Sequence, residues 1–201
     1  MKMSLNTGRR LLPLMMALSF AAVGVAHAQK DSMGDASAPM VGGAAMLPTR
    51  DIIDNAVNSK DHTTLVAAVK AAGLVETLKG VGPFTVFAPT NAAFAALPAG
   101  TVDTLLKPEQ KSHLSQILTY HVVAGRLDTK ALDEKIKAGG GSAQLKTVEG
   151  ENLTVSGSGS ALTVTDAKGG TAKITIANVY QKNGVILVVD KVLLPANPAP
   201  M

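Results

Sequence analysis

The sequence predicts an α+β fold, with helices mainly in the first half of the folded part and strands in the second. Between residues 51 and 137, apolar residues recur every three or four positions, which is the spacing of helices that bury one face. Between residues 153 and 176 they recur every second position, as in strands with one polar face. Because the two patterns occupy separate stretches instead of alternating, a parallel βαβ sheet is disfavoured.

The predicted helices are bounded by residues that start or stop a helix. Gly73 is a stop signal for the second helix, and the Thr90 hydroxyl can accept an unpaired backbone N–H at the start of the third. Pro108 suits the first turn of the fourth. The helices are predicted over residues 51–58, 63–72, 91–97, a segment that carries Leu114, Ile117 and Leu118, and residues 129–137. The face that the first helix is expected to bury consists of Ile52, Ile53, Ala56 and Val57.

The strands are predicted from alternation and from turn residues. A short strand is expected over 84–88, and three half-buried strands are centred on Leu153, Leu162 and Ile174. Asn183-Gly184 predicts a hairpin. The segment after it, Val185 to Val189, is apolar throughout, so it is predicted to be a central strand covered on both faces.

Composition and charge disfavour a nucleic-acid-binding protein. The net charge of +4 depends on Lys2, Arg9 and Arg10, which fall in the first 28 residues, where no acid occurs. The rest of the chain has 16 basic and 15 acidic residues, no dense basic run and few aromatic residues. The chain has no cysteine, which excludes disulfides and thiolate metal sites.

Residues 1–28 are predicted to be a cleavable signal peptide that exports the protein to the periplasm or the medium. Basic residues precede an apolar run, and Ala26-His27-Ala28 fits a signal-peptidase site, so the mature chain is expected to begin at Gln29. The run is shorter than the roughly 20 residues of a spanning helix, so no integral membrane segment is expected after cleavage. Residues 29–46 are expected to be a flexible linker and residues 196–201 a disordered tail, which leaves 47–195 as the domain.

The folded part lacks the patterns of a catalytic or metal site. The mature sequence has only His62, His113 and His121, and no third ligand stands beside the last two, so neither a metal nor another cofactor is predicted. Gly157-Ser158-Gly159 is predicted to lie in a flexible hairpin tip, not in the strained turn that presents a nucleophilic serine. These observations favour a protein that is not an enzyme.

Three segments resemble the fasciclin (FAS1) domain family. Residues 82–94 look like its first signature box, Tyr120-His121 matches its central Tyr-His motif, and residues 183–195 look like its second box. The compact form behind a signal peptide is similar to the bacterial single-domain members. Leu187 departs from the family pattern, because many members have His at this position, so any role tied to that His is absent here.

The resemblance implies a wedge-shaped β-sandwich with helices packed around one side, and a role in extracellular adhesion or protein–protein contact. The expected partner is a cell-surface protein or glycan. Tyr120 and His121 are expected to border the contact surface, with Arg126 as an exposed neighbour, and His121 itself is interpreted as buried and hydrogen-bonded. The alternative is a carrier of a small hydrophobic ligand, such as a lipid or pigment, in a crevice between helices and sheet.

Overall fold

The computed structural model describes residues 38–159 and 161–196, so the predicted signal peptide and most of the predicted tail lie outside the described residues. The helices are α1 (Ile52–Ala56), α2 (Thr63–Ala72), α3 (Val75–Lys79), α4 (Asn91–Ala95), α5 (Thr101–Leu105), α6 (Lys111–Tyr120) and α7 (Thr129–Ala138). The strands are β1 (Met40–Val41), β2 (Ala44–Ala45), β3 (Phe84–Pro89), β4 (Val122–Ala124), β5 (Ser142–Lys146), β6 (Asn152–Ser156), β7 (Thr163–Thr165), β8 (Thr171–Gln181) and β9 (Gly184–Val189). Among the described residues, no helix combines the length and the hydropathy that a membrane crossing requires.

Seven strands form one mixed sheet in the order β4-β3-β9-β8-β7-β6-β5. The pairing of β3 with β9 is parallel, and the other pairs are antiparallel. The two ends of the sheet approach each other, because Val123 forms an isolated bridge with Thr147 and the Val148 N–H donates to the Val122 carbonyl at 2.7 Å. The sheet therefore folds over, and its strands face each other across an apolar interior.

Two apolar cores lie on opposite faces of the sheet. The inner core, between the facing strands and α7, is built around Phe87 and Leu153. The outer core, between the sheet and the remaining helices, is built around Ile53 and Val69. Strand β9 supplies alternate residues to both cores, and all six of its residues are buried. The prediction of a central strand covered on both faces is confirmed.

The predicted helix boundaries are largely confirmed, and capping explains them. The Thr90 hydroxyl accepts an N–H at the start of α4 at 3.2 Å, and the carboxylates of Asp51 and Asp128 do the same for α1 and α7 at 2.8 Å. Gly73 ends α2 in the left-handed region, with φ of +74°. Strands β5 to β9 all follow α7, so the predicted separation of helices and strands in an α+β fold is confirmed.

Residues 40–46, predicted to belong to a flexible linker over 29–46, are folded. Strands β1 and β2 pair as a hairpin through Gly42 and Gly43, which both have positive φ. Val41 and Met46 are buried in the outer core. The linker prediction is wrong for this part, because two apolar anchors in a stretch of small residues give no visible period. The linker residues up to 37 lie outside the described residues.

Two further expectations of the first half need correction. Val57, predicted on the buried face of the first helix, is 47% exposed, because α1 ends at Ala56 and the chain turns away from the core. Helices α3 and α5 and strand β5 were not predicted. Helices α3 and α5 lack the side-chain N-cap that marks the equally short α1 and α4. Strand β5 buries only Ala143 and Leu145, and the first of these is small.

We expect Phe87→Ala to destabilise the domain strongly. Phe87 has no exposed surface, and truncating a buried Phe lowers the free energy of unfolding by about 3–5 kcal/mol. Val81→Ala is the matched control, because Val81 is fully exposed and its truncation should change the free energy of unfolding by less than about 0.5 kcal/mol. Urea denaturation of both variants measures the difference. A loss below about 1 kcal/mol for Phe87→Ala would show that the core is assigned wrongly.

Candidate functional site

Tyr120 ends α6 inside the protein and connects three parts of the chain. Its side chain has no exposed surface. The hydroxyl donates to the Asn152 carbonyl at 3.1 Å and accepts the Ala167 N–H at 2.9 Å. These bonds tie α6 to the start of β6 and to the turn between β7 and β8. Burial raises the pKa of Tyr120 to about 12, so the phenol is neutral.

His121 follows directly and uses both of its ring nitrogens in the interior. Nε2 accepts the Leu193 N–H at 2.9 Å, so Nδ1 must carry the ring proton and donate to the Ile117 carbonyl at 2.7 Å. The His121 carbonyl accepts the Phe87 N–H at 2.9 Å. Burial lowers the pKa of His121 to about 4, because the charged imidazolium is disfavoured in an apolar environment. This geometry agrees with the interpretation of His121 as a buried, hydrogen-bonded residue.

The chain that follows β9 is fixed beside this pair. Beyond the bond to His121, the Leu194 N–H donates to the Asp166 carboxylate at 3.0 Å and the Ala196 N–H donates to the Glu151 carboxylate at 2.7 Å. The Tyr-His pair is therefore an internal connection between α6, the folded sheet and the chain after β9. Both side chains are at most 2% exposed, so neither can contact a partner directly in this structure.

Arg126 lies at the opposite end of β4 from the Tyr-His pair. His121 stands beside Phe87, whereas Ala124 pairs with Phe84 at the entry of β3 and Arg126 lies beyond it. Arg126 is exposed. The structure therefore does not bring the three predicted site residues together, and only Arg126 belongs to the accessible surface.

Arg126 lines an open depression of about 640 Å³, which we call the Arg126 groove. Its residues are Asp51, Lys79, Gly80, Val81, Gly82, Pro83, Arg126, Lys182 and Asn183. The Arg126 Nη2 donates to the Gln181 carbonyl at 3.3 Å, which holds the side chain over β8. Within residues 38–159 and 161–196, the guanidinium forms no salt bridge, so its charge is available to a ligand.

The wall formed by residues 80–83 is held in place by Asn183. The Asn183 Nδ2 donates to the Leu78 carbonyl at 2.7 Å and to the Gly80 carbonyl at 3.2 Å, and its Oδ1 accepts the Ile52 N–H at 3.1 Å. Gly82 approaches the Asn183 backbone so closely that any side chain at position 82 would collide with it. Val81, at the tip of this wall, is fully exposed although its loop is anchored.

A second candidate is a small, largely apolar cavity of about 40 Å³ between α1, α2, the β1–β2 hairpin and the sheet. His62 and His121 both line it. The His62 Nδ1 is 2.9 Å from the Ser59 hydroxyl oxygen, and its Nε2 is buried without a hydrogen-bond partner in the described residues. Among those residues, no three His, Asp or Glu side chains are grouped as a metal site.

The comparison with known proteins agrees with this architecture. The family model of the fasciclin domain matches residues 60–195. The chain belongs to the fasciclin domain family. A FAS1 domain pair from the insect cell adhesion molecule Fasciclin I superposes with a TM-score of 0.66 at 18% identity, covering 73% of this chain and 51% of that one. The predicted family and the predicted FAS1 fold are confirmed.

Bacterial relatives cover most of this fasciclin domain. Protein sll1483 of Synechocystis sp. is 46% identical over 158 residues, 78% of this chain and 79% of its own. Immunogenic protein MPB70 of Mycobacterium bovis is 39% identical over 70% of this chain and 66% of its own. Cell surface glycolipoprotein MPB83 of the same species is 37% identical over 77% of this chain and 64% of its own.

We expect Tyr120→Phe to lower the free energy of unfolding by about 1–3 kcal/mol, because it leaves the buried partners of the hydroxyl without a hydrogen bond. Tyr180→Phe is the matched control. Its hydroxyl bonds to Asp128 at 3.1 Å on the exposed surface, where water can replace it, and a change below about 0.5 kcal/mol is expected. Thermal and urea unfolding of the two variants provide the test, and equal losses would refute a special role for Tyr120.

We expect stability to fall as the pH drops from about 6.5 to about 4. The pKa of His121 is about 4 in the folded protein, so in this window the unfolded chain binds a proton that the folded protein excludes. The free energy of unfolding should decrease by ~3 kcal/mol from His121, and burial lowers the pKa of His62 in the same direction. NMR titration of the His121 ring measures its midpoint directly. A midpoint above about 6 would contradict the buried neutral imidazole.

Proposed function

We propose that this fasciclin domain is an exported, non-enzymatic binding module that contacts a cell-surface partner through the Arg126 groove. The relatives include a cell surface glycolipoprotein, and the structural neighbour comes from a cell adhesion molecule. The observation that carries the proposal is the exposed Arg126 guanidinium, which has no salt bridge within the described residues and lies in a groove with an anchored wall. Arg is enriched among residues that dominate protein interfaces.

The two buried histidines are placed where they cannot reach a substrate in this structure. His62 and His121 are buried in the interior and do not line the Arg126 groove. Ser59 and His62 are within hydrogen-bonding distance, but both are at most 4% exposed, so a substrate has no access to them in this structure. A general base must lie within reach of the proton that it removes from a substrate.

The alternative role as a carrier of a lipid or pigment receives no support from the internal cavity. Its volume of about 40 Å³ suffices for a few water molecules at most. A drug-sized ligand needs about 300–1,000 Å³. This cavity therefore offers no site for the carrier role.

We expect Arg126→Gln to weaken binding of the purified mature protein to cell envelopes of its own organism by about tenfold, the effect of losing ~1.4 kcal/mol. Because Arg126 is exposed, the free energy of unfolding should change by less than about 0.5 kcal/mol. Lys146→Gln is the matched control, since it removes an exposed charge of β5 that does not line the groove. Equal binding by wild type and both variants would remove the groove as the contact surface, and absence of any envelope binding would refute the module itself.

A further inference from the structure

The Arg126 groove carries two positive charges that the protein does not neutralise. Its carboxylate, Asp51, caps α1 and lies 3.9 Å from the Lys79 ammonium, which also pairs with Asp54 at 2.7 Å. Asp51 and Asp54 therefore share one ammonium, that of Lys79. Among the described residues, Arg126 and Lys182 form no salt bridge, and both side chains are exposed. The groove accordingly favours an anionic ligand.

The ligand's anionic group is best matched by a carboxylate. A guanidinium presents parallel N–H donors that fit the two oxygens of a carboxylate, and an ammonium supplies a second charge-assisted bond. Within the part of the chain that the structure describes, Arg126 forms one hydrogen bond, through Nη2 to the Gln181 carbonyl, which leaves donors for a ligand. The wall is already held by hydrogen bonds from Asn183, so a ligand would not have to order it on binding.

Acidic peptides and acidic polysaccharides both carry carboxylates, and the form of the groove favours one of them. A peptide is commonly bound by pairing with a free strand edge or by inserting apolar side chains into a deep groove. The Arg126 groove lies at the ends of strands, where β3 is already paired on both sides by β4 and β9. Its apolar surface consists of Val81 and Pro83, which project outwards, so it offers no apolar socket. The C–H groups of a sugar ring can make van der Waals contact with such a shallow surface without entering a socket.

We propose that the Arg126 groove binds an acidic polysaccharide, with a uronic acid carboxylate held by Arg126 and Lys182 and a sugar ring packed against Val81. This inference rests on the proposed function and specifies the glycan among its possible partners. The groove volume of about 640 Å³ lies in the range of small-ligand sites, so it accommodates a short stretch of the polymer while the remainder extends into solvent.

Isothermal titration of the mature protein with an oligogalacturonate tests the inference. Binding is expected at low salt, and it should weaken by at least about tenfold in Arg126→Gln and in Lys182→Gln. The control Lys146→Gln should bind within about twofold of wild type, because its charge lies outside the groove. Val81→Ser should weaken the affinity without altering the melting temperature. A neutral dextran oligomer of equal length should not bind.

Several results would overturn the inference. One is the absence of oligogalacturonate binding, and another is a loss of affinity in Lys146→Gln as large as that in Arg126→Gln. A third is an affinity for polyglutamate equal to that for oligogalacturonate, which would indicate an acidic protein partner or unspecific attraction. The envelope assay separates this inference from the proposed function. If Arg126→Gln weakens envelope binding while oligogalacturonate does not bind, the polysaccharide is wrong and the groove remains the contact surface. If oligogalacturonate binds in an Arg126-dependent manner while envelope binding is unaffected, the polysaccharide site stands and the contact surface is wrong.

Discussion

The parallel pairing of β3 with β9 is the constraint on which the rest of the structure depends. It joins segments 100 residues apart, with Phe84 opposite Gly184 at their entry. The backbones are so close there that a side chain at Gly184 would meet the Phe84 carbonyl. Since β9 is buried on both faces, it orders the inner and outer cores together. The same pairing brings Asn183 beside the loop of residues 80–83, so the wall of the Arg126 groove is a direct product of the central strand pair.

The Tyr-His motif stabilises the interior of the fold and does not form part of the accessible surface. Where chain segments meet beside the folded sheet, their buried backbone N–H and C=O groups still need hydrogen-bond partners. Tyr120 and His121 supply three of those hydrogen bonds from the last turn of α6 and the residue after it. A neutral imidazole suits the position because it donates at one nitrogen and accepts at the other. The consequence is sensitivity to acid, since protonation removes the acceptor for the Leu193 N–H.

The sequence predicted those elements whose signal lies within a few adjacent residues. The apolar run of β9, the Thr90 cap and the Gly73 stop are properties of a few adjacent residues. The β1–β2 hairpin and the Arg126 groove were missed because both depend on distant contacts, Val41 with the outer core and residues 80–83 with Asn183. Arg126 and His121 are close in sequence, yet they lie beyond opposite ends of β4. The sequence signal for the groove is the parallel pairing of the two boxes, which sets Gly82 beside Asn183.

Only some residues of the groove can be substituted to test binding without also disturbing the fold. Asn183 cannot serve as a probe of binding, because its side chain fixes α1, α3 and the loop before β3 at once, and its loss would disturb the fold and the groove together. Arg126 and Lys182 differ, because their charged ends project from this rigid base and neither forms a salt bridge within the described part of the chain. Selection for stability alone would not require two unneutralised cations on one anchored surface, since exposed charges add little to the free energy of unfolding. What sets Arg126 and Lys182 apart from other exposed cations is their place beside the wall that Asn183 anchors, where a ligand would meet a surface already held by hydrogen bonds.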